Sequence, residues 1–224
     1  TAIRHSLGES SKMLSRLFQP ADIIEIRAIN GKEVQHLYCN TDTFADIHGK
    51  LVNLNDDGFN IYFGVLPRAA VGGTKAKDVL PGRVLCVDKD GIEAEQLLAD
   101  IEQAGLPRPT LAIASGGGGQ AFWVASVDVD PDEWVSLQLG IIETVDGADS
   151  SVRDKPRIMR LAGFRNRKSK YSPDFPMAHI IDFQDTGDVD VTSWRRGGKF
   201  SGDPDAPPAI KVPDGYLSAK ARAF

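Results

Sequence analysis

At 224 residues and 42% hydrophobic content, the chain is long enough to bury a core, which excludes global disorder. A net charge of −5 argues against a uniformly basic nucleic-acid binder, but the cations are unevenly spread: of residues 153–170, eight are Lys or Arg and only Asp154 is acidic. No apolar run reaches membrane-spanning length, the sequence reads as one without a signal peptide or membrane partner, and its two cysteines, Cys39 and Cys86, form neither a disulfide framework nor a metal spacing.

In chain order, residues 9–18 read as a short helix with Met13, Leu14, Leu17 and Phe18 on one face. Residues 23–29 and 33–39 read as strands joined at Asn30-Gly31, a strong hairpin turn. A helix is expected over 44–51, an alternating strand over 59–65 and a Gly/Lys-bearing loop over 69–78. Residues 83–87 form a buried strand containing the thiol of Cys86, and it delivers Asp88 and Asp90. A helix over 93–104 is stopped by Gly105 and Pro107. Strands over 110–114 and 121–125 flank a run of four glycines. Pro131 suits the first turn of a helix running to about Val145. Pro156 interrupts 150–165, which resolves into no single element, and 178–183 is a late strand. Beyond about Ser193 the composition turns to Gly, Pro and Asp, as in a tail or linker. Recurrent hairpin signals without a strict βαβ rhythm give an α+β fold, with mixed or antiparallel sheets flanked by helices. The chain opens on Thr1, as expected of a piece of something longer.

Three segments carry chemistry. Side chains alternate along a strand, so Asp88 and Asp90 share a face while Lys89 points away. Two such carboxylates repel unless a cation lies between them, and Mg²⁺ or Mn²⁺ prefers such oxygens. Asp-Lys-Asp-Gly is also good turn chemistry. A two-ion site needs a further acid, for which Asp149 and Asp154 are candidates. In the second segment, Ser115 to Gln120, exposed N–H groups of Gly116, Gly117 and Gly118 can nest phosphate oxygens, with Ser115 adding a hydroxyl and Gln120 an amide. It matches neither the P-loop nor the dinucleotide fingerprint, and a flexible hairpin reads equally well. The third segment holds Arg157, Arg160, Arg165, Arg167, Lys168 and Lys170, interleaved with Ile158, Met159, Leu161, Ala162 and Phe164. That pattern predicts a partly buried element whose arginines reach into a cleft and grip phosphate, with Asn166 placed for a sugar or base.

Other candidates are weaker. His5, His36, His48 and His179 are scattered and read as structural. Ser115 lacks the nucleophile elbow. Trp123, Trp134 and Trp194 read as packing residues, though Trp194, beside Arg195 and Arg196, could also stack on a base.

In this order the three segments resemble the archaeo-eukaryotic primase superfamily, especially the RepB-like primase-polymerase domains of plasmids and phages. There a strand ending in Asp-x-Asp or Asp-x-Glu matches Asp88-Lys89-Asp90. A Ser-Gly-rich turn ending in His, or in Gln in the RepB-like branch, matches Ser115 to Gln120. A third Asp followed by Arg-x-x-Arg-Leu-x-Gly-x-x-Asn-x-Lys matches Asp149, then Arg157 to Lys168. The likeness spans about residues 20–185. Two departures stand out: Gln120 replaces the more frequent His, and Ala162 stands where Pro is common.

The resemblance implies an RRM-like palm in a primase-polymerase catalytic domain over 1–192, followed by a tail over 193–224. It implies a template-dependent nucleotidyltransferase, a DNA primase or polymerase, joining nucleoside triphosphates to a 3′-hydroxyl in plasmid, phage or mobile-element replication. Asp88, Asp90 and Asp149 would hold two divalent ions, Mg²⁺ or Mn²⁺. Ser115, Gly116, Gly117, Gly118, Gln120, Arg160, Asn166 and Lys168 would bind the nucleotide. Arg157, Arg165, Arg167 and Lys170 would bind nucleic acid. The partners implied are DNA template and primer, dNTP or NTP substrates and a helicase domain or protein of the parent replicon, in the cytoplasm of a bacterial or archaeal host. The competing readings are a non-catalytic replication-origin or single-stranded-DNA-binding module of the same fold, and a nuclease using the same metals.

Overall fold

The computed structural model describes residues 5–191. The expected boundary at residue 192, the tail 193–224, and Trp194, Arg195 and Arg196 lie outside the described residues.

Among the described residues, eight strands form two four-stranded sheets, flanked by four α-helices. The chain opens with α1 (Leu7–Leu17), capped by the Ser6 hydroxyl, which accepts from the Glu9 N–H. Strands β1 (Ile24–Asn30) and β2 (Glu33–Cys39) form the expected hairpin, with Gly31 at φ 57° in the turn. Helix α2 (Phe44–Asp56) continues five residues beyond the pattern-based end. The reason is tertiary: Asn55 is buried in the last turn, donating to the Phe59 carbonyl and accepting from the Arg165 N–H. After β3 (Asn60–Gly64), the Gly/Lys loop contains one short 3-10 turn, Ala76–Asp78. Then follow β4 (Gly82–Asp90), α3 (Ala94–Gln103), β5 (Leu111–Ala114), β6 (Gly118–Val129) and α4 (Pro131–Thr144), where Pro131 lies in the first turn and the Asp130 side chain caps the helix. The ambiguous stretch yields the short β7 (Ile158–Arg160), and β8 (His179–Phe183) is the late strand.

The first sheet runs β2-β1-β3-β7 and the second β4-β6-β5-β8. Every pairing within them is antiparallel; the parallel contact among the described residues is a lone bridge, Ala125 to Val189. One hydrophobic core spans both sheets, and Phe63 of β3 meets Phe122 of β6 with ring centroids 5.8 Å apart. Trp123 and Trp134 are fully buried there, as expected, and so is Cys86. No helix of the described residues is long and apolar enough to cross a membrane.

Candidate active site

The site lies where the two sheets meet. Strand β4 pairs with β6 so that Asp88 faces Gln120 and Asp90 faces Gly118. Lys89 points to the other side, as alternation requires, where its ammonium donates to the Asp100 carboxylate at 2.5 Å and the Asp146 carbonyl at 2.8 Å. Gln120 connects the sheets. Its amide nitrogen donates to Asp88 Oδ2 at 3.1 Å, and its amide oxygen accepts from the Arg160 backbone N–H at 3.1 Å. The carboxylate pair and the basic segment are thus one side chain apart.

Asp88 is half-buried, and its Oδ1 is buried without a hydrogen-bond partner. Burial pushes its carboxyl up from the ordinary 3.8 to about 6. The charges of Asp90 and Asp149 push the same way, while the Gln120 amide and the Lys168 charge oppose them. Arg160 is 3% exposed and stays charged although burial lowers its pKa. Its guanidinium donates to Asn60 Oδ1 at 3.0 Å and the Tyr62 hydroxyl at 3.2 Å, and lies 5.0 Å from the Tyr62 ring centre.

Asp149 comes to β4 through its backbone. Strand β4 is an edge strand, and side chains occupy its outer rim where a further strand would pair. Trp134 Nε1 donates to the Val84 carbonyl at 2.7 Å. The Gln138 amide oxygen accepts from the Cys86 N–H at 3.2 Å, and its nitrogen donates to the Cys86 carbonyl. The Asp149 N–H then donates to the Asp88 carbonyl at 2.8 Å. Three successive rim positions are therefore held by α4 and the turn after it. Asp154 instead pairs with Arg157, so Asp149 is the acid beside Asp88. The Asp149 carboxylate accepts from the N–H and hydroxyl of Ser151, both at 2.8 Å.

The chemistry of these residues would suit a divalent cation. An orphaned Asp88 oxygen, a second carboxylate on the same face and a third acid on the adjoining turn make a hard-oxygen donor set of the right chemistry. Among the described residues, however, no three His, Cys, Asp or Glu side chains already form a metal-holding group. Both oxygens of the Asp149 carboxylate are engaged by Ser151.

The glycine run is shaped by packing. A Cβ on Gly118 would lie 2.1 Å from the Lys89 carbonyl, and one on Gly117 2.1 Å from the Tyr171 hydroxyl. Strand β6 accordingly starts at Gly118, three residues before the apolar pattern begins, because only glycine lets it lie that close to β4. Gly116 turns the chain at φ 74°. The Ser115 hydroxyl donates to the Gly118 carbonyl at 3.1 Å.

The basic segment divides. Arg160 interacts through its charge with Asp88 and Asp90, and Lys168 is exposed with its charge reaching Asp88. Other members are engaged locally rather than reaching into a common cleft. Arg157 donates to the Ser151 carbonyl and pairs with Asp154. Arg165 donates to the Asp174 and Phe175 carbonyls at 3.3 and 3.1 Å. Arg167 donates to the Asp56 carbonyl at 3.2 Å and stacks 4.1 Å from the Phe175 ring centre. Lys170 is exposed beside the Tyr171 ring. Asn166 is buried, not open to a sugar: its amide donates to the Ser115 and Gly116 carbonyls at 3.2 and 3.3 Å, tying the basic segment to the glycine turn.

Sequence reasoning missed Asn60, Tyr62, Trp134 and Gln138 as supports of the site. The alternating pattern of β3 places Asn60 and Tyr62 on one face and could have flagged the first two; nothing local marks Gln138 as reaching β4.

The fold has counterparts among solved structures. The AEP domain of the cyanophage S-2L primase-polymerase superposes with a TM-score of 0.66, at 24% identity, over 83% of this chain and 94% of that one. The fold is the primase-polymerase fold. The catalytic domain of primase RepB′ in complex with initiator DNA matches at a TM-score of 0.59 and 17% identity, over 80% of this chain and 88% of that one. A second structure, of primase RepB′, matches at 0.61 and 18%, over 80% of this chain and 57% of that one. No family model and no curated protein matches the sequence. Within the primase-polymerase fold of this chain, the Asp88–Gln120–Arg160 relay joins the second sheet to the first.

Proposed function

We propose that the chain is a template-dependent nucleotidyltransferase of the primase-polymerase kind, joining nucleoside triphosphates to a 3′-hydroxyl on a DNA template. The observation that carries this reading is the relay itself. A carboxylate with a buried, unpartnered oxygen is tied through one amide to the backbone of a buried arginine whose charge it feels.

Asp88, Asp90 and Asp149 would hold two divalent ions, Mg²⁺ or Mn²⁺, which when bound supply a lowered hydroxyl pKa and neutralise phosphate charge. The chain's own residues do the rest. Arg160, locked by Asn60 and Tyr62, presents a fixed cation to phosphate oxygens without reorganising during reaction. Lys168 adds a mobile positive charge from the exposed side. Gln120 holds Asp88 in orientation, so the reacting groups meet in a set geometry. Arg157, Arg165, Arg167 and Lys170 shape the segment, and their contribution to nucleic-acid binding comes after their local bonds are met.

Incubation with a primed template, Mn²⁺ or Mg²⁺ and labelled dNTPs or NTPs tests the proposal. Extension abolished by Asp88→Asn supports it. Retention of the template without extension would instead make the chain a binding module, and shortening would make it a nuclease.

A further inference from the structure

The buried charges gathered around Glu25 in the first sheet take no part in the chemistry proposed above. Glu25 is fully buried, yet five nitrogens converge on it. Arg27 donates Nε and Nη2 to Oε1 at 3.0 and 2.8 Å, and Arg68 donates Nε and Nη2 to Oε2 at 3.0 and 2.7 Å. His36 Nδ1 lies 2.7 Å from Oε1, as a donor, because an ionised carboxylate can only accept. A buried network of this kind is a poor source of net stability, since desolvation offsets the attraction. It does fix directions.

Strand register places His36, Arg27, Tyr62 and Arg160 in one row across β2, β1, β3 and β7. The alternate residues Ile26, Ala28, Ile61 and Phe63 fill the core, so the row lies on the opposite face. Neighbouring strands stand about 4.8 Å apart, so the row spans roughly 14 Å. One end is Arg160, at the carboxylates; at the other, Val34 on the same face of β2 is 45% exposed. The strands contribute one acid to this face, Glu25, against Arg27 and Arg160, with Arg68 laid over Gly64. Arg27 keeps 19% of its side chain exposed beside its bonds to Glu25.

We propose that this row is a path for the phosphodiester backbone of a single strand of nucleic acid, with Arg27 as a phosphate ligand oriented by Glu25. The inference rests on the nucleotidyltransferase reading for the nature of the polymer and extends it by giving the strand a route away from the carboxylates. A polyanion suits a cationic row longer than one phosphate, and the half-buried Tyr62 ring between Arg27 and Arg160 suits an unpaired base, hence one strand rather than two.

The test uses the full chain in chelator-containing buffer, with a fluorescent single-stranded oligonucleotide followed by anisotropy across a salt series. Arg27→Gln should weaken binding about tenfold and reduce the slope of log affinity against log salt by about 0.7. Arg27→Lys should restore the slope. Binding of Mn²⁺ with nucleotide, followed by calorimetry, should not change. In a separate readout that leaves the charges intact, Val34→Cys should be alkylated freely and be protected by the bound strand. Wild-type affinity and slope in Arg27→Gln, an unprotected Cys at 34, or equal loss of nucleotide binding would overturn the path, and preference for duplex would overturn the single strand. Arg27-dependent binding without any extension would sink the enzyme reading and leave the path standing.

Discussion

Two carboxylates at the heart of the two sheets have opposite circumstances. Glu25, in the first sheet, is fully buried and has more donors than it needs. Burial alone would raise its pKa, but hydrogen bonds from Arg68 and Arg27 outweigh it and hold the carboxyl below its usual range. Asp88, in the second sheet, has one amide donor, an unpartnered oxygen and two acidic neighbours, and its pKa rises to about 6. The contrast separates two uses of buried charge. A satisfied carboxylate organises its surroundings; an unsatisfied one beside like charges is costly to ionise, which is the state the proposed cation would relieve.

Removing each carboxylate's charge sharpens that contrast. The largest effect is expected on synthesis: Asp88→Asn should lower nucleotide incorporation by roughly a thousandfold or more while single-strand binding persists, read by primer extension and anisotropy. Near-wild-type extension would remove Asp88 from the chemistry. Glu25→Gln should act on the fold instead. It leaves Arg68 buried with a weakened partner, and unfolding by urea should show a loss of about 3 kcal/mol. A loss below the error of extrapolation would mean that water reaches Arg68 and the network is not a buried one.

The rim of β4 gives the next effect. Gln138→Leu removes both partners of the Cys86 peptide while keeping the side chain's bulk. A loss of about 2 kcal/mol in urea is expected from two buried groups left unmatched. Because the same rim seats Asp149 on the Asp88 carbonyl, Mn²⁺ affinity measured by electron paramagnetic resonance should fall too. Lost stability with unchanged Mn²⁺ affinity would show that Asp149 is seated independently of α4.

Much of this was legible in the sequence, for local reasons. The apolar run of β4 and the Asn30-Gly31 turn announced their elements, and Asp88, Asp90 and the basic segment stood out by charge. What escaped depends on contacts far apart in the chain. Asn55 lengthens α2 by bonding to residue 165, Gln138 reaches β4 across 52 positions, and Gly118 is demanded by the Lys89 carbonyl. The Glu25 network was invisible because Glu25 and Arg27 look like an ordinary polar pair until β2 and Arg68 close over them. Arginines 157, 165 and 167 looked alike as cations, and only their carbonyl and ring partners distinguish them from Arg160.

The smallest expected effect is the most discriminating for Asp88. Its folded pKa lies above the ordinary value, so between about pH 4 and 6 the unfolded chain releases a proton that the folded chain retains. Stability without metal should therefore fall as pH rises through that window and stay lower above it. The full shift would correspond to about 3 kcal/mol, but the half-buried site is screened by solvent, and about 1 kcal/mol is the realistic size. Asp88→Asn carries no proton to lose. Without metal it should match the wild type near pH 4 and exceed it at pH 8, and Mn²⁺ should narrow the difference by stabilising the wild type alone. If the two proteins unfold in parallel from pH 4 to 8, Asp88 is not held in a strained charge state, and its contrast with Glu25 disappears.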